Sequence, residues 1–344
     1  MKLILNKANG YGFILYIDGE KNLVISDSLN NRSLKTEKTL LENCICFDGG
    51  IDSGHKAHIT ALTADGDFIY ITAENKNIRR IKVLGKEREI MPESLKILTF
   101  GRICFILLCI RENDEFAYYS FLLSESISKP DLIIKTDRYF PPLYISKNPD
   151  GNIELILRQN GKYMLFKYLW NIKRWDLPLE IFDAENGFEK EFFVAENNVI
   201  HAVYLNGGII YYAKAAADEN GFLQKTPEPL TEQHMKEHGE IILYPADEKK
   251  NLMWYGSSKL FFASGNAENG DWSKLEQYNA AEPCFVYKIC SAESTLFRYG
   301  SESRIYGIEE FSVSDISVQI SEMAKTLQRH EEYIKKLKEK FKNF

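Results

Sequence analysis

The sequence predicts an all-β chain: a seven-bladed β-propeller of four-stranded antiparallel blades, followed by a C-terminal coiled-coil α-helix. Three observations predict it. A two-strand unit recurs seven times at a near-constant interval, hairpin-turn residues separate its strands, and a heptad pattern begins near residue 315.

The unit reads GFILYIDGEKNLVIS from Gly12, HITALTADGDFIYIT from His58 and CFILLCIRENDEFAYYS from Cys104. It continues as IELILRQNGKYMLFKY from Ile153, IHAVYLNGGIIYYAK from Ile200, LMWYGSSKLFFAS from Leu252 and LFRYGSESRIYGI from Leu296. One equivalent apolar position gives Leu23, Phe68, Phe116, Met164, Ile209, Leu260 and Ile305, at intervals of 45, 48, 48, 45, 51 and 45 residues. Asp18-Gly19, Asp65-Gly66, Asn160-Gly161 and Asn206-Gly207-Gly208 supply hairpin chemistry between the strands.

Each repeat has room for two more strands. An apolar one lies upstream: Leu3 to Leu5, Cys44 to Phe47, Leu95 to Phe100, Leu143 to Ile145, Phe192 to Ala195, Ile241 to Tyr244 and Cys284 to Cys290. A more polar one lies downstream, as in Ile78 to Leu84, Asp131 to Lys135, Trp175 to Ile181 and Trp272 to Leu275. Four strands per 45 residues is the pattern of a propeller blade, with apolar central strands and mixed rim strands. Paired β-sandwiches would not require a uniform repeat, and a β-helix would repeat at about 20–30 residues or fewer. The seventh copy runs out after its third strand, so ring closure is the open point.

From Asp315 the period changes. Ile316, Ile320, Met323, Leu327, His330, Ile334, Leu337 and Phe341 follow alternating steps of four and three. No Gly or Pro interrupts 315–344, and Ser314 or Asp315 suits an N-cap. The domains expected are therefore a propeller over 1–314 and a helix over 315–344, about 45 Å long at 1.5 Å per residue. That helix either packs along the propeller or pairs with another copy. A 3.5-residue period suits a partner helix better than a sheet, so self-association is expected through these eight residues, with His330 as a polar register-setter.

Composition bounds the function. The 344 residues are 44% hydrophobic and 27% charged, ordinary for a globular protein, and the 13% aromatic content favours sheets. A net charge of −6 argues against nucleic acid, which requires a basic surface. No window carries a signal-peptide core or a membrane span, so the expected location is cytoplasmic. Five lysines and two phenylalanines in the last ten residues fit a helix end whose cations suit the macrodipole rather than a membrane surface.

No cofactor, metal or catalytic residue is assigned. Cys44, Cys46, Cys104, Cys109, Cys284 and Cys290 fall in apolar runs without C-x-x-C spacing, and read as buried thiols. Cys44, Cys46, Asp48, His55 and His58 cluster in sequence but read as core thiols and loop polars. The string His234-Met235-Lys236-Glu237-His238 matches H-x-x-E-H, yet it spans barely one turn between strand-rich blades and reads as a solvated loop.

The stretch Ser264-Gly265-Asn266-Ala267-Glu268-Asn269-Gly270-Asp271-Trp272 is similar to an Asp-box, S-x-D-x-G-x-T-W, with altered spacing, Asn for Asp and Asp for Thr. With the aromatic strands Tyr211-Tyr212 and Phe261-Phe262, it makes the repeats resemble the sialidase-like propellers. The likeness is clearest over Phe192–Leu230 and Ile241–Leu275. Trp175-Asp176 has no Gly-His partner for a WD repeat, and Gly49-Gly50 and Gly207-Gly208 are out of phase for kelch repeats. The resemblance implies, for an enzyme, three arginines clamping a carboxylate, a Tyr–Glu nucleophile pair and an acidic proton donor. Arg102, Arg111, Arg158, Arg174, Arg298 and Arg304 are present, but none sits in a motif that assigns it such a place. The functional expectation is a non-catalytic propeller binding an unknown protein or glycan on one face, multimerised by its helix. The alternative is a carbohydrate-active enzyme or lectin, distinguished by a Tyr–Glu pair with arginines at the channel mouth.

Overall fold

The structure, a computed structural model, describes residues 2–6, 12–27, 37–74, 77–85, 87–123, 127–148, 150–183, 190–196, 199–218, 221–224, 228–230, 240–246, 249–256, 259–266, 272–273, 276–279, 285–290 and 295–300. The heptad segment and the His234–His238 string lie outside the described residues.

The described chain is all-β with one 3-10 turn, and its strands fall into six sheets that follow the sequence repeat. The first four strands are β1 (Lys2–Asn6), β2 (Gly12–Ile17), β3 (Leu23–Asp27) and β4 (Glu37–Leu41). The second sheet is β5 (Cys44–Ile51), β6 (Ala57–Thr63), β7 (Phe68–Glu74) and β8 (Asn77–Leu84). The third holds β9 (Glu89–Ile90), β10 (Lys96–Phe100), β11 (Ile103–Glu112), β12 (Glu115–Leu123) and β13 (Asp131–Thr136). The fourth holds β14 (Tyr144–Lys147), β15 (Ile153–Gln159), β16 (Lys162–Leu169), β17 (Arg174–Trp175) and β18 (Leu179–Asp183). The fifth holds β19 (Lys190–Glu196), β20 (Val199–Asn206), β21 (Ile209–Asp218), β22 (Gly221–Gln224) and β23 (Glu228–Pro229). The sixth is β24 (Glu240–Ala246), β25 (Lys249–Gly256), β26 (Lys259–Asn266) and β27 (Glu276–Asn279). Two strands remain, β28 (Phe285–Cys290) and β29 (Thr295–Gly300).

The apolar upstream strands of the repeat, β1, β5, β10, β14, β19 and β24, touch one another in that order. They therefore line the axis. Cores lie between consecutive sheets rather than inside any one. Leu3 and Leu15 pack with Ile59 and Ile71, Phe68 with Ile97 and Ile106, and Phe105 with Leu155 and Tyr168. Farther round, Tyr163 packs with Phe193 and Ala213, and Val203 with Leu243 and Leu252. A strand clamped between two such layers is apolar on both faces, which is why Ile103–Ile110 reads as a continuous greasy run. Close approach is tight at Gly49 and Gly50. A Cβ there would come within 2.7 Å of Leu3 and 2.8 Å of Thr99, so the doublet reflects packing on both neighbours.

The seventh repeat departs from expectation. Among the described residues it does not build its own sheet. Its upstream strand β28 pairs in parallel with β1, Lys2 opposite Tyr287 and Leu5 opposite Cys290, while β29 pairs antiparallel with β28. The first sheet thus has six strands, and β29 touches β24 of the sixth sheet. The reason is geometric. Axial strands all run the same way, so a seventh one beside the first can hydrogen-bond to it in parallel where, among the described residues, a hairpin lies between the sixth sheet and the first.

Turn chemistry repeats too. Asp18, Asp52 and Asn148 each accept, through the side chain, the N–H four residues on (2.8, 2.9 and 3.0 Å), and Thr63 does so through its hydroxyl at 3.1 Å. The fourth residue of each loop is left-handed: Lys21 (φ 64°), His55 (63°), Gly151 (85°) and Gly66 (84°). In the Asp18-Gly19 turn it is Lys21, not the glycine, that takes the left-handed position. Asn160-Gly161 and Gly207-Gly208 are left-handed pairs, as tight two-residue hairpins require. The downstream strand read at Trp272–Leu275 is instead β27, with Trp272 making an isolated bridge to Gly265.

Candidate functional site

Because strands alternate in direction, all the axial strands begin on one face, here the upper one. The β15–β16, β11–β12 and β20–β21 hairpin turns lie on this same face. Arg158 near the end of β15, Tyr163 at the start of β16 and Glu191 at the start of β19 therefore meet between the fourth and fifth sheets. The Tyr163 hydroxyl donates a short hydrogen bond to the Glu191 carboxylate. The Arg158 guanidinium lies 5.2 Å from the Phe140 ring centroid and within electrostatic reach of Glu191. Burial raises the Glu191 carboxyl above its usual range, and the Tyr163 hydrogen bond and Arg158 offset only part of this. Burial, with Glu191 beside it, drives the Tyr163 phenol upward.

A sialidase-type enzyme is expected to carry a Tyr–Glu pair with arginines at the channel mouth; Tyr163 and Glu191 form a Tyr–Glu pair between the fourth and fifth sheets. Its setting differs from that chemistry in that Tyr163 is 0% exposed, its ring packed on Phe193 at 5.0 Å. Nor are the arginines gathered among the described side chains. Arg102 lies on the β10–β11 turn at the opposite face, and Arg174 is exposed on the rim. Arg111 is exposed, 3.6 Å from Glu89 and 6.0 Å from the Phe116 ring centroid. Arg298 sits in β29 opposite Tyr287, and Arg304 lies outside the described residues.

A second polar centre lies at the axis. Asp48 on β5 pairs with Lys288 on β28 and accepts the Ile97 N–H of β10 at 3.0 Å, all buried. Burial works against the Lys288 charge, but Asp48 outweighs it and lifts the ammonium above its normal range. The pair ties the seventh repeat to the second and third sheets. A third centre is a buried chain: the His58 ring nitrogens contact Asp52 (2.9 Å) and Tyr70 (2.5 Å), and the Tyr70 hydroxyl lies 3.8 Å from Cys104 Sγ. The fifth sheet repeats it, with His201 2.6 Å from Tyr212. Both imidazoles are pushed down by burial, His201 to about 4.

Cys44, Cys104, Cys109 and Cys290 are buried free thiols and Cys46 is a partly buried one, while Cys284 lies outside the described residues. Burial raises Cys44, Cys104 and Cys109 to about 12, and Cys46 to about 11. Among the described residues, no group of three His, Cys, Asp or Glu is placed to hold a metal ion. No helix there is long and apolar enough to cross a membrane.

Of the Asp-box-like stretch, residues 264–266 and Trp272 are described. Trp272 lies on Gly265, packs on Tyr212 of the preceding sheet at 5.1 Å, and is fixed by Ser264–Ser273 hydrogen bonds. Trp175 does the same one repeat pair earlier, against Phe105 at 6.0 Å, its Nε1 donating to Ser120.

The six sheets and their ring of axial strands define a β-propeller. Among solved structures, the chain is similar to a subtype N10 neuraminidase-like protein of A/little yellow-shouldered bat/Guatemala, with TM-score 0.50 and 11% identity over 81% of this chain and 94% of that one. It is also similar to the six-bladed fungal lectin of Aleuria aurantia, described for its fucose recognition, with TM-score 0.47 and 11% identity over 82% and 96%. At such identities the likeness is one of fold. No protein-family model and no curated protein matches the sequence.

Proposed function

We propose that the chain is a non-catalytic binding propeller that engages its partner on the upper face and is multimerised by the helix expected over 315–344. The observation that carries the reading is the burial of Tyr163 against Glu191. A phenol sealed between two sheets and bonded to its carboxylate cannot attack a substrate from solvent. The same corner favours a glycan as the partner class. Arg158 donates, Glu191 accepts, and Phe140 supplies a ring, the mixture by which sugar hydroxyls and apolar faces are held. Linking several such faces would multiply weak contacts.

The test is a glycan array alongside hydrolysis of a fluorogenic sialoside. Binding without turnover, weakened at least about tenfold in Arg158→Met and Glu191→Gln, supports the reading. Turnover abolished by Tyr163→Phe would overturn it in favour of an enzyme. Binding to no glycan would leave a protein partner. Light scattering on the full chain and on a chain lacking 316–344 tests multimerisation, which fails if the full chain is already a monomer.

A further inference from the structure

The turn from β16 to β17 reads Trp170-Asn171-Ile172-Lys173-Arg174. It lies on the lower face, because β16 starts at the upper one. Trp170 fixes it: the backbone N–H donates to Asn152 Oδ1 at 3.1 Å, and the ring packs on Phe100 at 5.4 Å and Tyr168 at 6.0 Å. Ile172 is 47% exposed, with Lys173 and Arg174 exposed beside it. Lys147, at the lower end of β14, holds its ammonium 5.5 Å from the Phe100 ring centroid. Arg102 is exposed on the β10–β11 turn, two residues past Phe100. One lower corner between the third and fourth sheets therefore joins an aromatic pair, an exposed isoleucine and four cations.

The corner is rich in unused donors. Among the described residues, none of Arg102, Lys147, Lys173 and Arg174 has a carboxylate within 4.0 Å. The Trp170 indole N–H and the Asn152 amide N–H groups also bond to no described acceptor, and neither is buried. Glu154 is buried and already held by Asn148 at 3.2 Å and Lys167 at 3.6 Å. Asp131, Asp150 and Asp176 are exposed on the adjoining segments but pair with none of the four cations. In a chain of net charge −6, this is a local surplus of cations around a half-buried tryptophan. Trp and Arg are the residues most enriched where proteins meet.

We propose that this corner docks an acidic segment of a partner protein. Carboxylates of that segment meet Arg102, Lys147, Lys173 and Arg174, and an apolar side chain rests on Trp170 and Ile172. Charge complementarity sets the sign of the partner, since cations and N–H donors select a surface of acceptors. The exposed Asp131, Asp150 and Asp176 favour a peptide over a lipid surface. A flat anionic bilayer would be repelled by all three, whereas a peptide can place its own carboxylates between them. The surface lies on the face opposite the Arg158–Glu191 corner and stands whether or not that corner binds a glycan.

The test is fluorescence anisotropy of a fluorescein-labelled peptide of Glu-Glu-Leu repeats titrated with the full chain at low salt. Saturable binding is expected, and none for the matched peptide with Lys in place of Glu. Lys173→Glu combined with Arg174→Glu should weaken binding at least about tenfold, and Trp170→Leu about three- to tenfold. Arg111→Glu, on the upper face, should leave affinity within about twofold. If Trp170→Leu fails to fold, the charge-reversed pair carries the test, since both residues are exposed. No saturable binding, equal binding of the Lys peptide, or parental affinity in the charge-reversed pair would overturn the proposal. So would binding of heparin or of phosphatidylserine vesicles in the peptide's place, which would assign the corner to a glycan or to a lipid surface.

Discussion

Lys288 and Asp48, 240 residues apart in sequence, form a buried ion pair between the closing hairpin and the second sheet. Desolvating two charges is costly, so the pair adds little net stability over an apolar pair, but removing one partner strands the other. Lys288→Met should therefore destabilise the chain by about 3–5 kcal/mol in urea unfolding. The double variant with Asp48→Asn should recover part of that loss. Because the Lys288 ammonium is raised when folded, its contribution is complete below its unfolded value and fades only as pH climbs through the raised one. A single variant within about 0.5 kcal/mol of the parent would show that the hairpin is not held by this pair.

His201 sets an acid limit. It is neutral and buried, with its folded value near 4 against an unfolded 6.5. Between those values the unfolded chain binds the extra proton, so stability is full above about pH 6.5 and falls as pH drops towards 4, by about 2–3 kcal/mol. His201→Gln should flatten that part of the pH–stability curve, at a cost at neutral pH from the altered bond to Tyr212. An unchanged slope would contradict the assignment. His58 should contribute in the same direction but less, because Asp52 opposes its shift.

Gly265 has no room for a methyl group. A Cβ would lie 2.5 Å from the Trp272 ring, so Gly265→Ala must displace the indole from Tyr212. The expected loss is about 1–3 kcal/mol, read as a lower melting temperature with quenched or shifted tryptophan emission. An unshifted spectrum with parental stability would mean that the indole does not sit on that glycine.

Lys21 holds a left-handed conformation that glycine adopts without steric penalty. Lys21→Gly should be neutral or stabilising, by up to about 1 kcal/mol, because relief of strain outweighs the added freedom of the unfolded chain. The same change at Asn22, whose N–H and side chain both bond to Asp18, should destabilise. Paired melting curves check both.

Much of the fold was legible in the chain. Each axial strand was marked by its apolar run, because both its faces meet neighbouring sheets. Asn160-Gly161 announced its turn, because few other residues tolerate two successive left-handed positions. Asp18-Gly19 misled, since Asp18 acts through its carboxylate over five residues and places the left-handed residue at Lys21. The candidate sites were largely hidden. Tyr163 looks like any strand aromatic and Glu191 like any rim acid. Lys147 and Lys288 carry no motif, and nothing local marks Lys288 in FVYKIC as the partner of Asp48.

Sequence and tertiary structure divide this fold by range. Sequence alone determined the repeat, its strands and most of its hairpins, because those depend on alternation and turn chemistry within about ten neighbouring residues. Only the tertiary structure decided how the ring closes. It seats the seventh repeat against the first as a parallel hairpin, Leu3 beside Lys288 in register, and buries Tyr163 on Glu191 between two sheets. Those outcomes depend on which strands become neighbours around the axis, and residues 28 or 240 positions apart leave no local pattern that records it.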